Sequence, residues 1–400
     1  MELIRHFVYR LHPLRVSESL GLFLKDESIG GKLVIVAALL SLMVVNSPLQ
    51  TLFYSFWHQS LSVGLGQWNL SLPLIEWLNE GLMALFFLVV GLEIKREFIR
   101  GELRDHRTAI LPIGAAIGGV ALPAILYLAF ATQPNAIHGW GVAISTDTAI
   151  AVAMLSLLGN RVPIQLKIFL LALAVADDIL AILAIGLFYT DGINHLFIGI
   201  SVIVIALVYL LRTYLSKKFL LVIGLGIILW LTTHLSGVHG SIVGVIMGLL
   251  APIPPRGRLV STPEKVERFF LPLTTLIVVP LFAFANAGFV FSPEPFATGS
   301  NVILGVISGL LVGKVAGIAF MSWLLVRLGV ADLPDEVSWR HIVGVGFIAG
   351  IGFTMSLFIA DLAFHNHPDE LDASKIGIFI ASTISAILGL LILSRSKNKS

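Results

Sequence analysis

The sequence predicts an all-α integral membrane protein of twelve transmembrane helices, and three observations carry that prediction. Hydrophobic residues make up 57% of the 400 residues and charged residues 12%, with a mean hydropathy of +0.94, whereas a soluble domain carries about 25% charge. Apolar runs recur at roughly the 20 residues that a helix needs to cross the hydrocarbon core. The Lys and Arg residues between those runs fall on alternate connections, as the positive-inside rule requires.

In chain order, residues 1–30 carry charges every few positions without a clean apolar stretch, so they read as a basic cytoplasmic lead-in and not as a cleavable signal. Spans follow near 33–48, 75–94, 109–131, 139–158, 164–189, 196–212, 219–234, 238–252, 270–290, 303–326, 342–363 and 375–394. The pair 219–234 and 238–252 is short and is divided at His234, Leu235, Ser236 and Gly237, so one kinked segment is the alternative there. With the N-terminus inside, 24 of the 26 Lys and Arg lie on cytoplasmic segments; Lys375 falls outside and Lys314 lies within a span. Losing or adding one helix would scramble this alternation. The chain therefore reads as a single membrane domain over 31–394 with a tail at 395–400, both termini cytoplasmic. The connections are too short for a soluble domain, which leaves the chemistry in the membrane.

Composition excludes several classes. Without cysteine there are no disulfides, thiolate zinc sites, iron–sulfur clusters or thiol nucleophiles. The eleven histidines are scattered and no HExxH pair occurs. A net charge of +2 points to no nucleic-acid partner, the basic residues being used to orient loops. No cofactor is expected.

A charge at mid-bilayer costs several kcal/mol, so an ionisable residue there is a functional candidate by default. Asp177 and Asp178 sit mid-span in LALAVADDILAILAIG. Adjacent helical residues point about 100° apart, so the two carboxylates cannot face one partner but can line adjacent walls of one cavity; an interhelical salt bridge or a cap is the plainer alternative. Asp147 lies between Thr146 and Thr148 in GVAISTDTAIAVAM, where hydroxyls can satisfy the backbone of an unwound helix. Capping a helix and binding an ion are compatible roles for it. Lys314, in GLLVGKVAGIAF, reads as the partner of a buried acid or as compensation for helix-end dipoles, with snorkelling as the alternative. Glu93, Lys95, Arg96 and Glu97 lie at the cytoplasmic edge of the second span, where a solvated anchor is an equal alternative; Glu80 is deeper in the same span.

The eleventh span resembles the fourth in being interrupted. It carries Gly344, Gly346, Gly350 and Gly352, then Thr354 and Ser356. Interruptions at corresponding positions of two halves mark discontinuous helices and a midplane site. Each of these spans is second in a group of three, about 109–189 and 303–394, and the groups start from opposite sides of the membrane. They are therefore inverted-topology repeats. Close packing through the GxxxG of Gly346 and Gly350 is the other reading of those glycines.

VVGLEIKRE, STDTA, LKIFLLALAVADD, SGVHG, LPLFAFANAG, GKVAG and GIGFTMS occur in the order and spacing of the bacterial NhaA-type sodium/proton antiporters, a resemblance running from about Leu22 to Leu391. It implies that the fourth and eleventh spans are broken and cross at mid-membrane. It implies that Asp177 and Asp178 bind Na⁺ and protons, with Thr146 near the ion and Lys314 the salt-bridge partner of Asp177. Asp147 and Lys314 would balance the facing half-helix ends, and Glu93, Arg96, His239 and Glu267 match positions linked to pH response. The chain departs from the family pattern at Arg268 and Leu271, where histidines are expected, at Glu80 for Asp, and at Asp361 for a small polar residue. These departures put the pH set-point in doubt. Family members are often homodimers in the bacterial inner membrane.

The activity implied is export of cytoplasmic Na⁺ or Li⁺ against entering H⁺. Carboxylate, hydroxyl and carbonyl oxygens suit a hard cation, and burial favours the uncharged acid, so proton and cation compete for the same oxygens. A site neutral when protonated and charged when holding one cation releases two protons per ion, which makes exchange electrogenic. Whether the second proton rides on Asp177 or on Lys314 is open at this level. An intramembrane aspartyl protease would need a GxGD-type turn, which is absent, and a channel would need a ring of acids or carbonyls. A sodium-coupled solute symporter shares the broken-helix logic and is the strongest alternative.

Overall fold

A computed structural model describes residues 12–65, 68–190, 192–215, 218–252, 269–291 and 299–396, with side chains described from residue 29 onward except those of 65, 68, 106, 160, 213, 215, 219 and 220. The first helix, α1 (His12–Val45), is followed by α2 (Gln50–Trp57), which leaves its axis at 116°. Next come two antiparallel strands, β1 (Ser60–Leu65) and β2 (Trp68–Pro73), paired with Ser62 opposite Ser71. This hairpin is a small two-stranded addition to a fold that is otherwise helical among the described residues. Its residues alternate apolar and polar with the period of two that makes a strand, and Trp77 ties it to the next helix by donating from Nε1 to the Leu61 carbonyl at 3.0 Å.

The remaining helices are α3 (Leu74–Arg100), α4 (His106–Phe130), α5 (Pro134–Ala143), α6 (Thr148–Leu157), α7 (Ile164–Phe188), α8 (His195–Leu215), α9 (Phe219–Leu235), α10 (Ile242–Leu250), α11 (Phe269–Asn286), α12 (Ser300–Arg327), α13 (Trp339–Ala349), α14 (Phe353–Ala363) and α15 (Pro368–Ser394). Among the described residues, seven of these are long and apolar enough to cross a membrane, and ten spans result if each of three bent pairs is one span. Each predicted span contains helix. The short pair, α9 and α10, falls below the crossing length and stays two helices, separated by a turn with Gly237 at φ 85°, a conformation that glycine adopts at no steric cost.

Large apolar side chains point outward along the periphery: Val202, Ile203 and Leu210 of α8 are all exposed. Lipid removes any need for a polar cover there, while every backbone group in the hydrocarbon must bond internally, which the helices accomplish. The buried core sits between α4, α6, α7, α12, α13, α14 and α15. Here α4 and α12 touch backbone to backbone at Gly118 and Gly317; a Cβ on either would collide with the other's carbonyl oxygen. One turn before Gly317, the π-helical turn Ser308–Gly313 ends at Lys314. Such turns commonly mark functional positions.

Two helix pairs pass through this core and break within it. α5 and α6 meet at 44° and α13 and α14 at 46°. The breaks fall at residues 144–147 and 350–352, between them exposing two helix N-termini and two C-termini in the protein interior.

Candidate functional site

Helix ends in a dry interior leave unsatisfied N–H and C=O groups, and the two breaks satisfy each other. The Asp147 N–H donates to the Ile351 carbonyl at 2.6 Å. The hydroxyl of Thr146 donates to the carbonyl of Ala349, the last residue of α13, at 2.8 Å. Ser356 donates to the Val142 carbonyl at 2.7 Å, and its oxygen lies 3.0 Å from that of Ser145. The carboxylate of Asp147 serves both inner half-helices: Oδ1 accepts from the Ile150 N–H of α6 at 3.0 Å, and Oδ2 accepts from the N–H and hydroxyl of Thr354 at the start of α14, at 2.9 and 2.5 Å. A negative charge thus stands at two positive dipole ends.

Lys314 supplies the opposite charge at the opposite pole. Its side chain is fully buried, and its ammonium donates to the carbonyl of Ile144, just past the end of α5. It also meets both carboxylate oxygens of Asp177, at 2.8 and 2.7 Å. Asp177 lies against Thr146 as well.

Asp178 points elsewhere. Its carboxylate lines a cavity of about 40 Å³, shared with Glu93, Asp147, Thr148, Thr354 and Thr274. The Thr148 hydroxyl donates to Asp178 Oδ2 at 3.4 Å. The cavity has room for one or two water-sized guests, and its wall mixes these carboxylates and hydroxyls, oxygens of the kind that suit a small hard cation, with apolar side chains such as Val34, Phe86 and Val90. A larger cavity, about 880 Å³, lies between α3, α8, α9 and α10; it is lined almost wholly by apolar side chains and holds none of these residues.

The sequence candidates therefore separate. Asp147, Thr146, Asp177, Asp178 and Lys314 come together at the crossing of the breaks. Glu93 lines the same cavity from α3, 3.7 Å from Arg96 at the more exposed edge. His239 sits apart, its Nδ1 2.8 Å from Ser241 Oγ and its ring edge-on to Phe358 at 5.3 Å. Glu267 and Arg268 lie outside the described residues, whereas Leu271 is on the cavity wall. Two other departures have partners: Glu80 is 2.6 Å from His234 Nδ1, and Asp361 accepts from Asn79 at 2.9 Å, Asn79 being paired with Asn286. Sequence reasoning named Thr354 only as part of an interruption and passed over Asn79 and Asn286, whose amides are legible only once α3, α11 and α14 are packed.

Two mutually capped broken helices with charged residues at their crossing define the class, a multi-pass secondary transporter. A family profile described as "Na+/H+ antiporter 1" matches residues 22–393. The Na(+)/H(+) antiporter NhaA of Yersinia enterocolitica is 42% identical over 370 residues, 92% of this chain and 94% of that one. NhaA of Shigella dysenteriae is 40% identical across 92% and 95%, and NhaA 2 of Clostridium beijerinckii 39% across 92% of each. Among solved structures, the sodium proton antiporter MjNhaP1 of Methanocaldococcus jannaschii superposes with a TM-score of 0.56 over 97% of this chain and 99% of that one; at 14% identity this likeness is one of fold. The chain belongs to the Na⁺/H⁺ antiporter family.

Proposed function

We propose that this protein is an electrogenic antiporter of the bacterial cytoplasmic membrane. It exports cytoplasmic Na⁺ or Li⁺ in exchange for external H⁺, two protons per cation, under pH control, and so serves sodium and pH homeostasis. Twelve spans with both termini cytoplasmic, inverted repeats over about 109–189 and 303–394, and a homodimeric state belong to the same proposal. The names of the relatives support the exchange. The near-equal 44° and 46° bends, each in the second member of a three-span group, support the repeats.

One observation carries the assignment of the site: Asp178 opens onto a cavity with oxygen donors while the adjacent Asp177 is neutralised by Lys314. Deprotonated, Asp178 attracts a cation; protonated, it has no charge to hold one. Proton and cation therefore exclude each other at one carboxylate, and alternate exposure of that carboxylate converts exclusion into exchange. The second proton belongs to the Asp177–Lys314 pair, whose groups titrate as a unit. Cavity size speaks against the symporter alternative, because organic ligands occupy about 300–1,000 Å³ and the crossing offers about 40 Å³.

Energised inside-out vesicles carrying a pH-sensitive dye test this reading. Adding Na⁺ or Li⁺ should dequench the dye promptly, and D178N should abolish the response while inserting normally. An unaltered response in both D178N and D177N would overturn the site; no response from the wild type at any pH would overturn exchange.

A further inference from the structure

Resting on the exchange reading above, we infer that the hydroxyl of Thr148 is a direct oxygen partner of the transported cation beside Asp178, the place that the family resemblance implies for Thr146. Both threonines flank Asp147, yet their surroundings differ. Thr146 lies within the break, is fully buried, and spends its proton on the Ala349 carbonyl. Thr148 opens α6, is half-buried, and lines the cavity that holds Asp178. Among the described residues Thr148 supplies the hydroxyl bonded to Asp178; Thr275 also lines the cavity, and three other hydroxyls around the crossing are bonded elsewhere. Thr354 donates to Asp147, Thr274 to the carbonyls of Phe270 and Leu271, and Ser356 to that of Val142.

The contact between Thr148 and Asp178 is long, at 3.4 Å, against about 2.5–2.7 Å for a hydroxyl held firmly by a carboxylate. A cation can therefore enter between them without first breaking a strong bond. The chemistry of a hydroxyl fits each state of the cycle. It has one proton to give and two lone pairs, so it donates to the empty carboxylate, accepts from the carboxylic acid, and turns a lone pair to a bound cation. A cavity of about 40 Å³ leaves space for the ion with a water to complete its oxygen shell.

The test uses the full-length protein in two assays: Na⁺ titration of dye dequenching, and calorimetric titration of the purified protein with NaCl. T148V, of nearly the same shape, should raise the half-saturating Na⁺ concentration about tenfold in both assays, the scale expected when a buried charged group loses a neutral partner. The maximal response at saturating Na⁺ should stay at the wild-type level, and T148S should restore the affinity. Wild-type affinity in T148V would overturn the inference while leaving exchange intact. If T148V fails to insert, T148S and T148A decide: a weakened T148A beside a normal T148S supports the hydroxyl, and equal affinities in the two overturn it. A wild-type protein silent to Na⁺ in both assays is the separate failure of the exchange reading.

Discussion

Asp177 and Asp178 are adjacent on one helix and nearly equally hidden, at 1% and 8% exposure, yet they occupy opposite electrostatic situations. On one face of α7, both oxygens of Asp177 are held by Lys314, which in turn binds the Ile144 carbonyl. On the next face, about 100° round the helix, Asp178 meets a hydroxyl and an open cavity. The difference shows how one helix separates two tasks. The first face makes a closed charge balance at the crossing of the broken helices, and the second leaves a carboxylate that has no ion-pair partner of its own among the described residues and borders a cavity.

The largest effect should come from the open face. D178N removes the exchangeable charge, so Na⁺-dependent proton movement should fall below detection in vesicles that contain normal amounts of protein. On the closed face the loss should be one of stability. K314Q strands Asp177 without its partner, and breaking a buried ion pair this way costs about 3–5 kcal/mol, to be read as a lowered melting temperature of the purified protein. D177N/K314Q should recover most of it, since no buried charge is left alone. If the double variant were no more stable than K314Q, the two faces would not differ as described.

D147A sharpens the comparison from the side of the breaks. It uncaps α6 and α14 together, at roughly 1 kcal/mol for each cap, and D147N should return part of that stability. The smallest change is S356A, a neutral hydroxyl on the Val142 carbonyl and Ser145, expected to cost about 1 kcal/mol. Its melting shift should be the least of the series, with exchange unchanged.

Much of this arrangement was legible in the chain itself. Apolar runs located the helices, because the bilayer penalises every exception. The mid-span acids and Lys314 stood out for the same reason. The hairpin at 60–73 was passed over because two six-residue strands between helices read like any polar connection unless their alternation is counted. Choosing between Thr146 and Thr148 needed the residue at which the helix restarts. With α6 beginning at Thr148, one hydroxyl points back to the break and the other into the cavity, and residue type alone is the same for both. The Glu80–His234 and Asn79–Asp361 contacts join residues 154 and 282 positions apart, a distance over which one sequence has no means of signalling a pair.

The central claim is that proton and cation compete for the carboxylate on the open face of α7. Its most direct test is the half-saturating Na⁺ concentration of the protein in liposomes, measured across neutral and alkaline pH. Competition at one carboxylate predicts a rise of about tenfold for each pH unit of acidification below the point where the site takes up its proton. A half-saturating concentration that stays constant while only the maximal rate changes with pH would place the proton elsewhere and contradict the account.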